Sequence, residues 1–236
     1  MADTGDGRAP RGGALRAGVS ITVGLERRPF AGGYRPTARS PTQGGSVTAR
    51  AFLDADLDGR FDPEHDQALE GVKFNTLGGG RPGHTDAEGH VVISGLEAHR
   101  RLQIELDEGS LEDPYWVPSR RGASFLPRPG RTLSLDFPVV MSGELDGTVY
   151  LDQDGKRIPI SKVRLELVDA DGTVVREGTS AYDGFYLLDK IPPGLYHLRL
   201  EEAQRRRLGL RPLPVRDIRI GHDGTVLSGV DLVVSR

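Results

Sequence analysis

Asp54, Asp56, Asp58 and Asp62 occupy positions 1, 3, 5 and 9 of the acidic stretch Asp54-Ala-Asp-Leu-Asp-Gly-Arg-Phe-Asp62-Pro-Glu-His-Asp66, with Gly59 at position 6. Carboxylates at alternate places in a tightly curled loop suit a hard divalent cation. Ca²⁺ takes about six to eight oxygen ligands, and glycine at the sixth position permits the curl. Arg60, at position 7, would offer its backbone carbonyl. Position 12 is His65 rather than Glu, so a bidentate carboxylate would have to come from Glu64 or Asp66. The expected ligand set is Asp54, Asp56, Asp58, Arg60, Asp62, Glu64 and Asp66, and the expected role of calcium is to stabilise a fold rather than to run a reaction.

The competing reading is a solvated acidic turn, since Asp and Gly favour turns on their own account. Charge density speaks against it. Four carboxylates between Asp54 and Asp62 repel one another unless a counter-ion is present. Other chemistries fail their own context. The chain has no cysteine, which removes disulfides, thiol catalysis and Cys-based zinc sites. Gly78 to Gly83 matches G-x-G-x-x-G, but Pro82 and the turn residues His84 to Gly89 follow where a dinucleotide fold needs a helix. The histidines (His65, His84, His90, His99, His197 and His222) show neither H-x-H nor H-E-x-x-H spacing, and no G-x-S-x-G elbow occurs. Arg100-Arg101, Arg120-Arg121 and Arg205 to Arg207 read as solvated surface. Four lysines and the single Asn75, in a second strand, do not offer the usual Lys–Asn pair of an isopeptide crosslink.

The acidic loop has to be carried by strands. In Thr179 to Leu200, Tyr186, Leu188, Tyr196, Leu198 and Leu200 alternate with Phe185, Leu187, Leu195, His197 and Arg199, the period of strands buried on one face. Asp183-Gly184 and Pro192-Pro193-Gly194 supply the turns. The pattern occurs twice. Ser46 to Asp54 answers Gly143 to Asp152, Gly71-Val-Lys-Phe answers Lys162 to Leu167, Thr85 to Leu96 answers Thr179 to Leu188, and Leu102 to Leu106 answers Tyr196 to Leu200. Repetition at about 95 residues predicts two copies of one domain, since the period is too long for a solenoid. The expected division is a mobile leader over 1–45, one sandwich over 46–141 and a second over 142–236. The second copy keeps Asp152, Asp154 and Gly155 in a shorter loop, which is expected to bind nothing.

Thr179, Asp183-Gly184, Phe185-Tyr186 and Pro193-Gly194-Leu195-Tyr196 resemble the carboxypeptidase regulatory-like (transthyretin-like) repeat. The resemblance implies a small β-sandwich used as a structural or interaction module. The acidic loop, followed by Gly71-Val72, is similar to the calcium loop of B-type repeats in serine-aspartate-repeat surface adhesins. Asp113-Pro-Tyr115, Pro127-Arg-Pro-Gly130 and Asp136-Phe-Pro-Val-Val140 resemble the passage that follows the barrel in bacterial outer-membrane usher-like proteins, which implies a place in the cell envelope.

Length and composition bound the remainder. At 236 residues the chain has room for two domains of about 100 residues. Its 36% hydrophobic content with 32 Gly and 16 Pro suits short strands and turns, giving an all-β fold of two tandem immunoglobulin-like or transthyretin-like β-sandwiches. A formal net charge of −3 provides no field for a phosphate backbone, so nucleic acid is not expected as a partner. No stretch of 18 apolar residues and no signal-like h-region occurs. Val19, Ile21, Val23 and Leu25 alternate as either one transmembrane barrel strand or a soluble edge strand does. These features together predict a non-enzymatic structural module of a bacterial cell-envelope protein, usher-like or adhesin-like, meeting a protein partner. The alternative is a carbohydrate-binding accessory domain presenting Tyr115, Trp116, Tyr182 and Tyr186. An accessory domain of a peptidase is a second alternative, for which the chain offers no zinc motif.

Overall fold

The computed structural model describes residues 24–27, 33–37, 44–77, 83–120, 122–213 and 216–236. Strands β1 (Gly24–Arg27) and β2 (Tyr34–Thr37) pair antiparallel within the segment expected to be a mobile leader. The barrel-strand reading of residues 17–25 lies outside the described residues except at Gly24 and Leu25.

Eight strands follow: β3 (Gly44–Leu53), β4 (Gln67–Ala68), β5 (Phe74–Leu77), β6 (His90–Glu97), β7 (Leu102–Leu106), β8 (Trp116–Pro118), β9 (Ala123–Phe125) and β10 (Thr132–Met141). β3 is the hub of the first sheet. One of its edges pairs antiparallel with β6 and then β4, and the other runs parallel to β10, which also pairs with β8. The order β5-β7-β9 makes the facing sheet. Val47, Ile93 and Phe137 of the first sheet bury against Phe74, Ile104 and Phe125 of the second. The Phe74 and Phe137 rings meet edge-on at 4.9 Å, a favoured aromatic geometry.

The remaining elements are β11 (Gly143–Gln153), β12 (Lys156–Pro159), β13 (Arg164–Val168), β14 (Val174–Thr179), β15 (Phe185–Ile191), β16 (Gly194–Leu200), helix α1 (Glu202–Arg207), β17 (Asp217–Ile220), β18 (Val226–Leu227) and β19 (Leu232–Val234). Here β11 is the hub, antiparallel to β15 and β12 and parallel to β18 and β19. The facing sheet runs β14-β13-β16-β17. Along β15 and β16 the alternation resolves as written in the sequence: Tyr186, Leu188, Tyr196, Leu198 and Leu200 are buried, while Phe185, Leu187 and Leu195 face out. Fully burying one such aliphatic side chain contributes roughly 1.5–3 kcal/mol.

The two sandwiches share a backbone hydrogen-bond framework. Ala51 donates to Gly89 as Val149 does to Gly184, Leu69 donates to Ala51 as Ile160 does to Val149, and Gly71 donates to Thr85 as Lys162 does to Ser180. A buried hydroxyl closes each frame. Thr85 Oγ1 donates to the Leu69 carbonyl and accepts from Val72 N–H, and Ser180 Oγ donates to the Ile160 carbonyl and accepts from Val163 N–H. Thr85 therefore matches Ser180, not Thr179 as the sequence alignment had it. Thr179 ends an extra strand, β14, and is exposed.

Helix α1 has no counterpart in the sequence reading, because six residues are too few for a helical period to show. It is docked by Gln204, whose Oε1 accepts from Arg164 N–H and whose Nε2 donates to the Lys162 carbonyl, both at 2.7 Å. On its exposed side Glu202 receives Arg205 and Arg206, whose hydrogen bonds hold its carboxyl down to about 2.

Candidate functional site

The acidic loop begins where β3 ends. Asp54 N–H donates to the Val139 carbonyl of β10 at 2.8 Å, which fixes the loop's first residue to the sheet. Its side chain is only 4% exposed. Leu57 (φ 63°) and Gly59 (φ 74°) both adopt left-handed conformations and turn the chain back on itself, an arrangement easy for glycine and costly for leucine. Phe61 anchors the far side. Its ring meets Phe52 edge-on at 5.4 Å and lies 4.5 Å beneath the Arg50 guanidinium. Arg50 is held in turn by a two-point pair with Asp136, at 2.8 and 3.0 Å.

This curl brings Asp54, Asp56 and Asp58 together, with one carboxylate oxygen from each within 4.8 Å of the others. Asp56 accepts from Asp58 N–H at 3.3 Å, and Asp58 accepts from Arg60 N–H at 2.6 Å. Asp54 Oδ2 accepts from Gly59 N–H at 3.0 Å, while Asp54 Oδ1 is buried and has no hydrogen-bond partner. A buried oxygen with no donor is costly. Burial pushes the Asp54 carboxyl above its ordinary range despite the Gly59 amide and, more weakly, the Leu57 amide, with further upward pushes from the Asp66 charge and the Asp56 contact. A divalent cation among the three carboxylates would relieve both the repulsion and the missing partner.

Asp62 and Asp66, also in the expected ligand set, brace the loop itself. Asp66 staples the neck, accepting from Ala55 N–H at 3.1 Å and from Asp62 N–H at 2.8 Å. Asp62 accepts from Glu64 N–H at 3.0 Å and contacts His65 Nδ1 at 3.1 Å. The Glu64 amide and then His65 lower the Asp62 carboxyl, and Asp62 raises the His65 imidazole. Glu64 is exposed on the same turn. Sequence spacing alone could not assign Asp62 and Asp66 to backbone amides, because an Asx turn and a ligand draw on the same residue type.

The cluster opens onto a crevice of about 410 Å³ between the two sandwiches. Asp54, Asp58 and Gly59 form one wall, and Asp169, Pro193 and Tyr196 of the second sandwich form the other. Asp169 was not picked out by sequence, since Asp169-Ala-Asp-Gly172 reads as an ordinary turn. Its Oδ1 does build that turn, accepting from Asp171 N–H at 3.0 Å and Thr173 N–H at 2.9 Å. A single residue, Ser142, separates β10 from β11. It is 3% exposed, and both its N–H and its Oγ–H donate to the Tyr115 carbonyl, at 2.8 and 2.6 Å.

The aromatic row of the carbohydrate reading does not form. Tyr186 is 1% exposed and donates its hydroxyl to the Val230 carbonyl, so it is a core residue. Trp116 packs, partly buried, against the first core. Tyr115 and Tyr182 are exposed but belong to different sandwiches. No helix among the described residues is long and apolar enough to cross a membrane.

No protein-family model matches the chain, and no curated protein matches it. Among solved structures it is similar to the Bacillus anthracis TIE protein, at 14% identity over 82% of this chain and 34% of that one, with a TM-score of 0.34. It is also similar to GBS52, the minor pilin of Streptococcus agalactiae, at 14% identity over 81% and 96% of the two chains, with a TM-score of 0.40. A streptococcal ancillary pilin matches at 15% identity over 84% and 64%, with a TM-score of 0.37. The chain thus spans about a third of the TIE protein and just under two thirds of the ancillary pilin. At such identities and TM-scores these likenesses carry no inference about function.

Proposed function

We propose that the chain is a non-enzymatic structural and interaction module of a bacterial cell-envelope protein, usher-like or adhesin-like, in which two β-sandwiches form a spacer and Ca²⁺ stabilises the first. The observation that carries the cation is the unpartnered, buried Asp54 Oδ1 set beside Asp56 and Asp58. Asp54, Asp56 and Asp58 supply the charge, Gly59 and Leu57 the curl, and Phe61 the anchor. The mechanical role is supported by the one-residue junction, whose backbone and side chain are both tied to Tyr115. A linker of that length limits the range over which the second sandwich can swing. A protein partner would meet exposed sheet edges such as β12, whose four residues are all exposed at the end of their sheet, where unpaired backbone groups can accept another strand.

Titration of the full chain with CaCl₂ in a calorimeter, combined with thermal scans in excess calcium and in chelator, tests the cation. Saturable binding with a raised Tm is expected. At a hundredfold excess over Kd the gain is about 2.7 kcal/mol. Identical melting temperatures with and without chelator would overturn the calcium reading.

A further inference from the structure

We infer that Asp169 of the second sandwich completes the cation site from across the crevice, so that calcium held by Asp54, Asp56 and Asp58 ties the two sandwiches together. The inference rests on the calcium reading of the same loop and adds to it a residue and a consequence. Asp54 and Asp58 line the crevice from one side and Asp169 lines it from the other, and no Lys or Arg is among the described lining residues. Three carboxylates therefore share one concave space with no counter-charge among its described lining residues. The charge of Arg176 reaches Tyr196 on the crevice wall. Its guanidinium keeps its charge but is anchored to the carbonyls of Asp189 and Val175, at 3.2 and 3.0 Å, and is not among the described lining residues.

The loop's own ligands fall short of calcium's needs. Asp62 and Asp66 lie outside the group of three carboxylates that meet within 4.8 Å of one another, while Ca²⁺ seeks about six to eight oxygens. Asp169 is half-buried and fixed by its turn through Oδ1, which sets the position of the whole carboxylate. The orphaned Asp54 Oδ1 belongs to the same lining. Without the ion, carboxylates on opposing walls repel and the crevice is favoured to open. Asp169 lies outside the group of three carboxylates that meet within 4.8 Å of one another, so with the ion it joins the same centre through a bound water or as the crevice closes. Lys190 and Glu108, 3.9 Å apart across the junction and both exposed, add little to this closure.

The test uses the full chain and Ca²⁺ itself. Because the sequence has no cysteine, Arg101→Cys and Arg157→Cys, both at exposed positions on separate sandwiches, accept spin labels for a distance measurement. Calcium is expected to narrow the distance distribution. Asp169→Asn keeps an oxygen for the Asx turn and removes the charge, and is expected to weaken calcium binding about tenfold and to abolish the narrowing. Asp171→Asn, on the same turn but outside the crevice lining, is expected to leave both unchanged. If the parent chain binds no calcium, the loop reading and this inference fall together. If it binds calcium and gains Tm, but Asp169→Asn retains the affinity or the distribution does not narrow, the loop reading stands and this inference alone is overturned. Equal weakening by Asp171→Asn would show a general field effect and would overturn it as well.

Discussion

The path from Ala51 to Leu69 and the path from Val149 to Ile160 start and end on the same pair of backbone hydrogen bonds, yet the first is seven residues longer. In the second sandwich those ends are joined by a short turn in which Asp152 Oδ1 accepts from Gly155 N–H at 3.0 Å, and every residue from Asp152 to Pro159 is exposed. In the first, the extra length curls back, buries Asp54 and gathers three carboxylates. The frame decides where the loop leaves and returns, and the loop is free to acquire chemistry because the frame does not depend on it. The comparison therefore separates residues whose loss should damage both copies from residues whose loss should matter in one.

The largest effect is expected within the frame. Gly89 and Gly184 sit at matched positions with φ of 74° and 82°. A Cβ on Gly89 would stand 2.4 Å from the Ala51 carbonyl oxygen, and one on Gly184 would stand 2.8 Å from that of Val149. Gly89→Ala is expected to cost about 3 kcal/mol or more, from the left-handed conformation and the overlap with backbone together, and Gly184→Ala somewhat less. Urea denaturation followed by the fluorescence of the single Trp116, which lies in the first sandwich, reads the first substitution, and circular dichroism reads the second. A negligible cost at either glycine would break the equivalence of the two frames.

Much of this frame was legible in the sequence, because two-residue alternation and Asp-Gly turns are local signals. Tyr186 and Leu188 read as one face of an alternating strand, and burial shows that it is the inward one. The Thr85 to Ser180 match was missed by one residue because Thr179 also stands before the Asp-Gly turn, and only the hydroxyl's two hydrogen bonds distinguish the candidates. Asp54, Asp56 and Asp58 were legible as a cluster since they are close in sequence. Asp169 was not, because its relation to them spans more than a hundred residues and depends on how the two sandwiches meet.

A middle-sized effect is expected from pH, and it sharpens the contrast between the loops. The Asp54 carboxyl is raised in the folded chain, chiefly by burial. In chelator, the unfolded chain therefore binds fewer protons at this group than the folded chain does, over the window from the ordinary carboxyl value of 3.8 up to the raised value. Stability from Asp54 increases as pH falls through that window and is lost as pH rises. Asp54→Asn is expected to flatten this part of the profile and to raise the Tm in chelator near neutral pH, while removing the response to calcium. Asp62 and Glu202 have the opposite sign, both lowered, so their contributions are present above their unfolded values and fade as pH falls. Difference profiles of variant against parent isolate the Asp54 contribution. A variant that is less stable than the parent in chelator at neutral pH would show that the carboxylate supports the loop without any ion.

The smallest effect is expected from Asp152→Asn, and its smallness is informative. Asp152 opens the short turn as Asp54 opens the long one, each lying at the end of the hub strand, and each accepts a hydrogen bond from a following glycine. The difference is burial: Asp152 is exposed, whereas Asp54 is almost wholly covered and keeps one oxygen without a donor. Asparagine can accept from Gly155 N–H as aspartate does, and water solvates the remaining oxygen in either case. The change is expected to lie within about 0.5 kcal/mol, as for surface substitutions generally, and to leave the calcium titration unaltered. A calcium response weakened by Asp152→Asn would place a second cation in the turn that lacks a buried carboxylate, and burial would then no longer be what distinguishes the two loops.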